Sequence, residues 1–259
     1  MTHVSTACVL LEIDSVRLLT DPVFDEGERY YSFGAPFIGA TRMQGPALKP
    51  EAIPDLDAIL LSHAHHSDNL DDGGRALFPK ARAIITNTHG KKFLKEEAIG
   101  LPKWGSTTIQ GRGGEMITVS ATPALHGPAW LPGTRDVCGF VLKWDSQKHG
   151  ALYISGDTVY FDELRELAKF NVGTALLHLG AVHFWPPFPR CFRFTFDSAG
   201  AVKMAKLLGL ETLIPIHYEQ SVWSHFKEDV ASYQRAFQKA GLDHKIMWLS
   251  KGVRTQLSI

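Results

Sequence analysis

The chain has 259 residues, of which 44% are hydrophobic and 21% are charged, the composition of an ordinary globular protein. Its 27 basic and 27 acidic residues give a formal net charge of zero, which argues against nucleic acid or a membrane surface as a partner. No apolar run approaches the ~18 residues that span a bilayer, and residues 1–5 show no signal peptide. We therefore expect a small-molecule substrate.

The cysteines indicate the cellular location, and the length indicates the number of domains. Cys8, Cys138 and Cys191 are odd in number, far apart and outside any C-x-x-C pattern. They predict no disulfide bond and favour a cytoplasmic location. The chain shows no linker, repeat or low-complexity tract, so residues 1–259 are predicted to form a single domain.

Apolar runs bounded by turn residues predict the strands, and the segments between them predict the helices. The predicted strands are residues 7–13, 16–20, 58–61, 83–86, 117–121, 139–144, 151–155, 174–178, 212–216 and 246–249. The predicted helices are residues 74–77, 91–98, 161–169, 198–208 and 226–240. Asp197 is the expected N-cap of the fourth helix. Strands that mix with helices in both halves of the chain predict two facing sheets with helices outside.

Two long segments, residues 23–56 and 182–196, are rich in Pro and aromatic residues. Loops of this length in a compact domain are usually functional or disordered, and their aromatic side chains must cover something. We expect them to border a pocket for a small, partly apolar substrate. The arginines of these loops, Arg42, Arg190 and Arg193, could bind a carboxylate or phosphate, but each alone is more simply a surface residue.

The predicted strand at residues 58–61 ends at a segment that is rich in metal-ligand residues. The segment reads Ser62-His63-Ala64-His65-His66-Ser67-Asp68-Asn69. Imidazoles beside carboxylates are costly to bury without a partner, and a divalent transition metal, zinc above all, suits both kinds of donor. His63 and His65 are two residues apart and can converge on one ion. Taken alone, the segment is also compatible with a polar loop that happens to be rich in histidine.

Ligand-type residues recur at the C-terminal ends of three other predicted strands. They are His126 after the strand at 117–121, Asp157 after the strand at 151–155, and His217 after the strand at 212–216. Strand ends along one edge of a sheet converge, and active sites collect there. Each residue alone is more simply a capping or solvated group, but the repeated setting predicts a hydrolytic site with one or two zinc ions.

The order of these motifs resembles that of the metallo-β-lactamase superfamily. The motifs are residues 62–69, Pro123-Ala124-Leu125-His126-Gly127, Ser155-Gly156-Asp157-Thr158 and Pro215-Ile216-His217-Tyr218. Leu18-Leu19-Thr20-Asp21-Pro22 is similar to the first hairpin of the superfamily, and the spacing most resembles the branch that contains ascorbate-6-phosphate lactonase. The resemblance covers residues 7–249 and implies an α+β fold, a four-layer αββα sandwich of two facing mixed sheets with helices outside.

The resemblance also implies roles for single residues. His63, His65 and His126 would hold the first metal ion, Asp157 would bridge to a second, and His217 would complete that second site. Zinc is the expected ion.

One segment departs from the pattern of the family, which is H-x-H-x-D-H. Ser67 lies where the aspartate is expected, or, with a one-residue insertion, Asn69 replaces the second histidine. Asp68 is the candidate ligand in both alignments, and both remove one imidazole. The second metal site is therefore expected to be weak, oxygen-rich and suited to Mn or Fe as well as Zn, or empty.

The resemblance implies a hydrolase in which a zinc-bound hydroxide opens a small lactone or lactam. Asp68 and Asp157 are the predicted catalytic residues, which orient the nucleophile and accept its proton. Asp21 is either a hydrogen-bond acceptor for a ligand histidine or a turn residue before Pro22. Substrate contacts are predicted for His178, Trp185, Trp223 and His225.

Two other functions stay open. One is a phosphodiesterase that acts on a small phosphodiester, since the neutral charge balance counts only against long nucleic acids. The other is a metal-binding family member without hydrolytic activity, which the missing imidazole near Asn69 favours. Association into a homo-oligomer is compatible with the resemblance, because family members often associate.

Overall fold

The computed structural model describes residues 1–35, 38–95, 98–184 and 187–259. Its strands, in chain order, are β1 (Thr2–Ser5), β2 (Cys8–Ile13), β3 (Val16–Thr20), β4 (Arg29–Ala35), β5 (Ile38–Arg42), β6 (Ala58–Leu60), β7 (Ile84–Asn87), β8 (Ile99–Leu101), β9 (Ser106–Gln110), β10 (Met116–Pro123), β11 (Cys138–Lys143), β12 (Ala151–Ile154), β13 (Val172–His178) and β14 (Thr212–Ile216). One six-stranded sheet has the order β1-β2-β3-β6-β7-β8, and the other has the order β14-β13-β12-β11-β10-β9. Strands β4 and β5 pair as a separate hairpin.

The strand directions bring several C-terminal ends to one edge. Strands β12, β13 and β14 are parallel, and β10 runs the same way because β11 is antiparallel to both β10 and β12. At this edge the Cys138 amide donates to the Ser62 carbonyl at 3.0 Å, which joins the end of β6 in the first sheet to the second sheet. The segments that follow five strands therefore meet at one place.

The two sheets pack together through alternate residues of their strands. Leu18 and Leu60 of the first sheet belong to the same buried cluster as Phe140 and Leu152 of the second. Their sequence neighbours, such as Leu19, belong to a different cluster on the outer face of the first sheet. This alternation follows from the two-residue period of a β-strand, and it confirms the predicted sandwich of two mixed sheets.

Helices cover the outer faces. They are α1 (Asp72–Arg75), α2 (Thr88–Leu94), α3 (Ser198–Leu208) and α4 (Val230–Lys239), with 3-10 helices at Pro50–Ala52, Phe78–Lys80, Asp162–Phe170 and Asp243–Lys245. Helix α3 has the predicted bounds, and Asp197 caps it by accepting from the Gly200 amide at 2.8 Å. Helix α4 starts four residues later than predicted because Asp229 accepts from the Ser232 amide and caps it there. Among the described residues, no helix is both long and apolar enough to cross a membrane.

Several predicted elements are wrong. Residues 246–249 form no strand, and only Ile246 makes an isolated bridge, to Leu213. Residues 23–56 are not a single loop, because they contain the hairpin β4–β5. Strands β1, β8 and β9 were not predicted, since their sequences lack a clear apolar alternation. Trp185, a predicted substrate contact, lies outside the described residues.

A buried ion pair fixes the hairpin β4–β5 to the segment that follows β6. Arg42 donates through Nη1 to Asp71 Oδ2 at 2.8 Å, and both side chains have no exposed surface. Asp71 also accepts from the amides of Phe24, Asp25 and Gly74. The sequence-based expectation of a surface position for Arg42 is therefore wrong, because the carboxylate and its hydrogen bonds compensate for burial of the guanidinium.

Replacement of Arg42 should destabilise the fold. In Arg42→Ala the Asp71 carboxylate would be buried without its cation, which costs about 3–5 kcal/mol. Urea denaturation followed by circular dichroism measures the loss. Arg17→Ala, at an exposed position of β3, should change the free energy of unfolding by less than about 0.5 kcal/mol. Equal losses of unfolding free energy in the two variants would contradict a stabilising role for the Arg42–Asp71 ion pair.

Candidate metal centre

His63 is held by the backbone and side chains around the end of β6. The Ser62 amide donates to Asp21 Oδ1 at 2.7 Å, and the Asn87 amide group donates to the Ser62 carbonyl at 3.0 Å. Ser62 Oγ lies 2.9 Å from His63 Nδ1. The other ring nitrogen, Nε2, is therefore turned toward the interior of the site. Asp21 thus accepts from Ser62, the residue before His63, and makes no hydrogen bond to a histidine among the described residues.

His126 is fixed in a similar way at the end of β10. Its Nδ1 lies 2.6 Å from the Phe194 carbonyl, and its backbone amide donates to the Thr134 carbonyl. Its Nε2 is 4.0 Å from Asp157 Oδ2. One ligand atom each of His63, His126 and Asp157 lie within 4.8 Å of one another. This set could hold one metal ion.

His65 and His66 extend this group toward solvent. The ligand atoms of His63, His65 and His66 also lie within 4.8 Å of one another, and His63 Nε2 is 3.2 Å from His66 Nδ1. His65 and His66 are partly exposed, whereas His63 is fully buried. The two residues thus form the rim of the site.

A second group of ligand atoms contains both predicted catalytic carboxylates. Atoms of Asp68, Asp157 and His217 lie within 4.8 Å of one another. His217 Nε2 is 3.7 Å from Asp68 Oδ2 and 3.7 Å from Asp157 Oδ1. Asp157 belongs to both groups, so it lies where a bridging ligand would be needed. All six predicted metal ligands are therefore brought together, and their roles as ligands remain predictions.

Two further histidines and one amide contact the carboxylates. His178 Nδ1 lies 2.9 Å from Asp157 Oδ1, and His225 Nε2 lies 3.0 Å from Asp68 Oδ2. Asn69, with its amide nitrogen in the orientation that satisfies both of its polar atoms, donates to Asp68 Oδ1 at 3.2 Å and to Asp157 Oδ2 at 3.3 Å. Sequence reasoning assigned His178 and His225 to the substrate and missed this role of Asn69.

Trp223 lies behind the site. Its side chain is fully buried, its indole nitrogen donates to Thr6 Oγ1 at 2.9 Å, and its ring packs on Tyr31, Phe33 and His225. Its predicted contact with substrate stays a prediction.

The pKa values of the histidines divide the site into two parts. Burial and the neighbouring imidazoles lower the pKa of His63 well below its ordinary value, that of His65 to about 4 and that of His66 to about 3. These rings are therefore neutral at pH 7 and offer free lone pairs. Burial also opposes the charged form of His217, but Asp157 and Asp68 outweigh it and raise the pKa of His217 to about 9.

The two carboxylates are ionised although they are buried. Burial by itself would raise the pKa of each, but His217 and His178 hold the pKa of Asp157 below its ordinary value. His217 at 3.7 Å and the hydrogen bond from His225 at 3.0 Å do the same for the pKa of Asp68. The second group is thus a pair of buried anions that requires positive charge between them.

The donor set fits a divalent transition metal. Imidazole nitrogen and carboxylate oxygen are the ligands of zinc and of related ions. His217 Nε2 is buried and makes no hydrogen bond to a described residue, and the same holds for His65 Nδ1. A buried nitrogen without a partner, 3.7 Å from two carboxylates, is the arrangement that a cation would complete.

Comparison with known proteins agrees with the fold and the motifs. Residues 16–218 match the family model described as "Beta-lactamase superfamily domain". The chain belongs to this family, and the predicted membership of the superfamily is confirmed. It is 30% identical, over 97% of each chain, to a protein of Methanosphaerula palustris named "UPF0173 metal-dependent hydrolase".

A more distant relative and a solved structure are also similar. The chain is 28% identical over 240 residues to "N-acyl-phosphatidylethanolamine-hydrolyzing phospholipase D 1" of Caenorhabditis elegans, a match that covers 84% of this chain and 63% of the relative. The isothiocyanate hydrolase from Delia radicum gut bacteria has the same fold, with a TM-score of 0.79, 20% identity, and coverage of 100% of this chain and 99% of the other.

Zinc should stabilise the protein through this site. A ligand present at ~100 times its Kd stabilises the native state by about 2.7 kcal/mol, which for a chain of this size corresponds to a rise in Tm of roughly 5–10 °C. We expect such a rise when zinc is added to chelator-treated protein in differential scanning calorimetry.

The Asp157→Asn variant should lose this rise, because Asp157 contributes to both groups. Asp162→Asn, which alters a side chain that is 86% exposed, is the matched control and should keep it. An undiminished rise in the Tm of Asp157→Asn on addition of zinc would contradict a metal site that contains Asp157.

Proposed function

We propose that this protein is a metal-dependent hydrolase that opens a small, uncharged lactone or lactam. The observation that carries the proposal is a cavity of about 290 Å³ beside the metal-ligand groups. Its lining residues are Phe33, Ile38, His65, His66, His126, Leu131, Pro132, Gly133, Thr134, Phe184, Phe188 and Phe194. The imidazoles therefore border the same space as the aromatic side chains.

The lining favours a neutral substrate. Neither Lys nor Arg is among the described residues that line the cavity, so an anionic group would lose hydration without gaining a protein cation. The motifs support a ring ester through their resemblance to the ascorbate-6-phosphate lactonase branch, whereas the cavity favours a ring without a phosphate. The carbonyl of a lactone or lactam is neutral and electrophilic, which suits this lining.

The donor set favours zinc. His63, His65, His126 and Asp157 would hold a first ion, and Asp68, Asp157 and His217 would contribute to a second, whose carboxylates also suit Mn or Fe. When bound, such an ion supplies Lewis acidity, which lowers the pKa of a coordinated water toward ~7 and polarises a carbonyl oxygen.

The protein's own residues orient the reactants. Asp68 and Asp157 remain ionised at neutral pH, so they accept hydrogen bonds from an attacking water and are placed to take its proton. His178 and His225 fix the two carboxylates at 2.9 and 3.0 Å. The aromatic lining is placed to pack on the apolar part of the substrate.

A phosphodiester is the second candidate substrate. The similarity to the phospholipase D of C. elegans favours it, and the cavity lining opposes it. The isothiocyanate hydrolase with the same fold acts, by its name, on another small neutral electrophile.

The test compares zinc-reconstituted protein with chelator-treated protein on an aromatic lactone, a lactam, a small phosphodiester and benzyl isothiocyanate. A pH-stat follows the lactone and the phosphodiester, chromatography of the ring-opened product follows the lactam, and ultraviolet absorbance follows the isothiocyanate. We expect zinc-dependent turnover of a lactone or lactam, reduced at least ~100-fold in His126→Ala because a ligand of the ion is lost. His244→Ala, at an exposed position far from the site, should leave it unchanged.

Other outcomes would reject parts of the proposal. Turnover that survives His126→Ala would show that the metal is not the catalyst. Turnover of the phosphodiester alone would replace the neutral substrate by an anionic one. Silence across the panel from metal-loaded protein would reject hydrolysis of these classes.

The aromatic lining should act on substrate binding rather than on chemistry. Phe188 lines the cavity and packs on Phe194, and among the described residues its ring contacts none of the predicted ligands. Phe188→Ala should raise KM for an aromatic lactone about 10-fold and change kcat little, because apolar contact stabilises substrate and transition state alike.

Met116→Ala is the control, since Met116 is an exposed apolar residue outside the cavity. A fall in kcat for Phe188→Ala at constant KM would contradict a role in binding.

A further inference from the structure

The segment after His65 lacks the imidazole that would complete a second metal site. Asn69 lies at the position where that imidazole is missing, and its amide donates to both Asp68 and Asp157 at 3.2 and 3.3 Å. An amide nitrogen that donates has no lone pair for a metal. Asn69 therefore holds the carboxylates in place and leaves one coordination position without a ligand.

His225 reaches the same carboxylate from a distant part of the chain. It lies between β14 and α4, 157 positions after Asp68, and its Nε2 is 3.0 Å from Asp68 Oδ2. The side chain is 3% exposed. Its other nitrogen, Nδ1, is buried and makes no hydrogen bond to a described residue. Among the described residues, Asp68 is thus the hydrogen-bond partner of the His225 ring.

The ring of His225 is held in one orientation by aromatic neighbours. It is stacked on Phe184 at 5.9 Å, and it packs against Trp223 at 5.4 Å and Phe226 at 4.7 Å between ring centroids. Such packing fixes a ligand before the ion binds, which lowers the entropic cost of coordination.

We propose that His225 supplies the missing ligand of a second divalent cation, together with Asp68, Asp157 and His217. It would bind through Nε2 in the tautomer that carries the proton on Nδ1, so the Nε2 proton that faces Asp68 moves to Nδ1 as the cation binds. The inference deepens the proposed function and rests on it, because the cation belongs to the same site. It replaces the sequence-based assignment of His225 as a substrate contact.

The distances between donor atoms match a shared ion. Zinc lies about 2.0–2.2 Å from nitrogen and oxygen ligands, so that two ligands of a tetrahedral ion are about 3.3–3.5 Å apart. The atoms concerned are 3.0 Å apart for His225 and Asp68, and 3.7 Å apart for His217 and each carboxylate. Each of these pairs is within 1 Å of that separation, and His225 Nε2 would have to approach His217 and Asp157 to join the group that they form with Asp68.

His178 is the competing candidate, and its contact differs. Its Nδ1 lies 2.9 Å from Asp157 Oδ1, and Asp157 already has His126 and His217 as neighbours. The missing imidazole adjoins Asp68 in the chain, and His217 and His225 are the histidines that contact Asp68 among the described residues. We assign His178 to positioning Asp157.

The first experiment measures metal content separately from activity. Chelator-treated protein is titrated with Zn²⁺, and bound zinc is measured by mass spectrometry after desalting, for the wild type, His225→Gln and His178→Gln. Glutamine keeps an N–H donor toward the carboxylate but is a poor zinc ligand. Circular dichroism and Tm of the metal-free variants check folding.

The expected result is two equivalents in the wild type. In His225→Gln the Kd of the second equivalent should rise at least ~10-fold, because even residues outside the coordination sphere of a metal affect affinity by 10–100-fold. His178→Gln should stay within about threefold of the wild type, because glutamine keeps an N–H that can position Asp157. One equivalent in the wild type, unchanged affinity in His225→Gln, or a loss confined to His178→Gln would overturn the proposal.

A second experiment observes the bond directly in the wild type and uses a variant only to assign the signal. Protein labelled with ¹⁵N-histidine and loaded with ¹¹³Cd²⁺ should show a one-bond cadmium coupling at His225 Nε2, which is assigned by its absence in His225→Gln. An uncoupled His225 signal in protein with two bound cadmium ions would overturn the proposal, including when both variants lose the second zinc.

The two proposals fail separately. Two equivalents with a coupled His225 but no turnover of any substrate would support the second site and reject the hydrolase. Zinc-dependent turnover with a single equivalent would support the hydrolase and reject the second site.

Discussion

Two buried carboxylates, Asp68 and Asp157, impose the main electrostatic constraint on this structure. An anion in the interior is tolerated only where hydrogen bonds and positive charge replace its lost hydration. His217 lies 3.7 Å from both, and Asn69 donates to both. One imidazolium balances at most one of the two charges, whereas a divalent cation balances both. The surrounding neutral imidazoles suit the same ion. One cation would therefore compensate for the burial of both carboxylates and take the imidazoles as ligands.

The sandwich provides the rigidity that this arrangement requires. The candidate ligands follow β6, β10 and β12, which pair with a strand on each side, and the edge strand β14. The Ser62 carbonyl, which accepts from Cys138, ties the two sheets together at the site. Short extensions of well-packed strands hold side chains more precisely than long loops do. The aromatic residues of the loops then build a small apolar cavity over a polar floor. In the proposed function, that combination selects neutral substrates by size and apolar contact, while the metal-ligand groups provide the chemistry.

Much of the fold and of the candidate site could be predicted from local sequence. His126, Asp157 and His217 each follow an apolar strand, and the bounds of α3 follow from its Asp197 cap. The prediction failed where pairing or burial depends on distant residues. The hairpin β4–β5 packs around Trp223. Arg42 is buried because it pairs with Asp71, a carboxylate that also accepts from three backbone amides. No local pattern in residues 23–56 shows this.

The sequence by itself determined the kind of chemistry and its approximate place, because ligand-type residues at strand ends and the two-residue period of strands are local properties. Only the tertiary structure decided which nitrogen of each histidine faces the site and which residues hold the two carboxylates. His225 and Asp68 are 157 positions apart, and His178 and Asp157 are 21 apart. The contact of such residues depends on how loops close over the sheet edge. That closure follows from the packing of many side chains and is not encoded in any single segment.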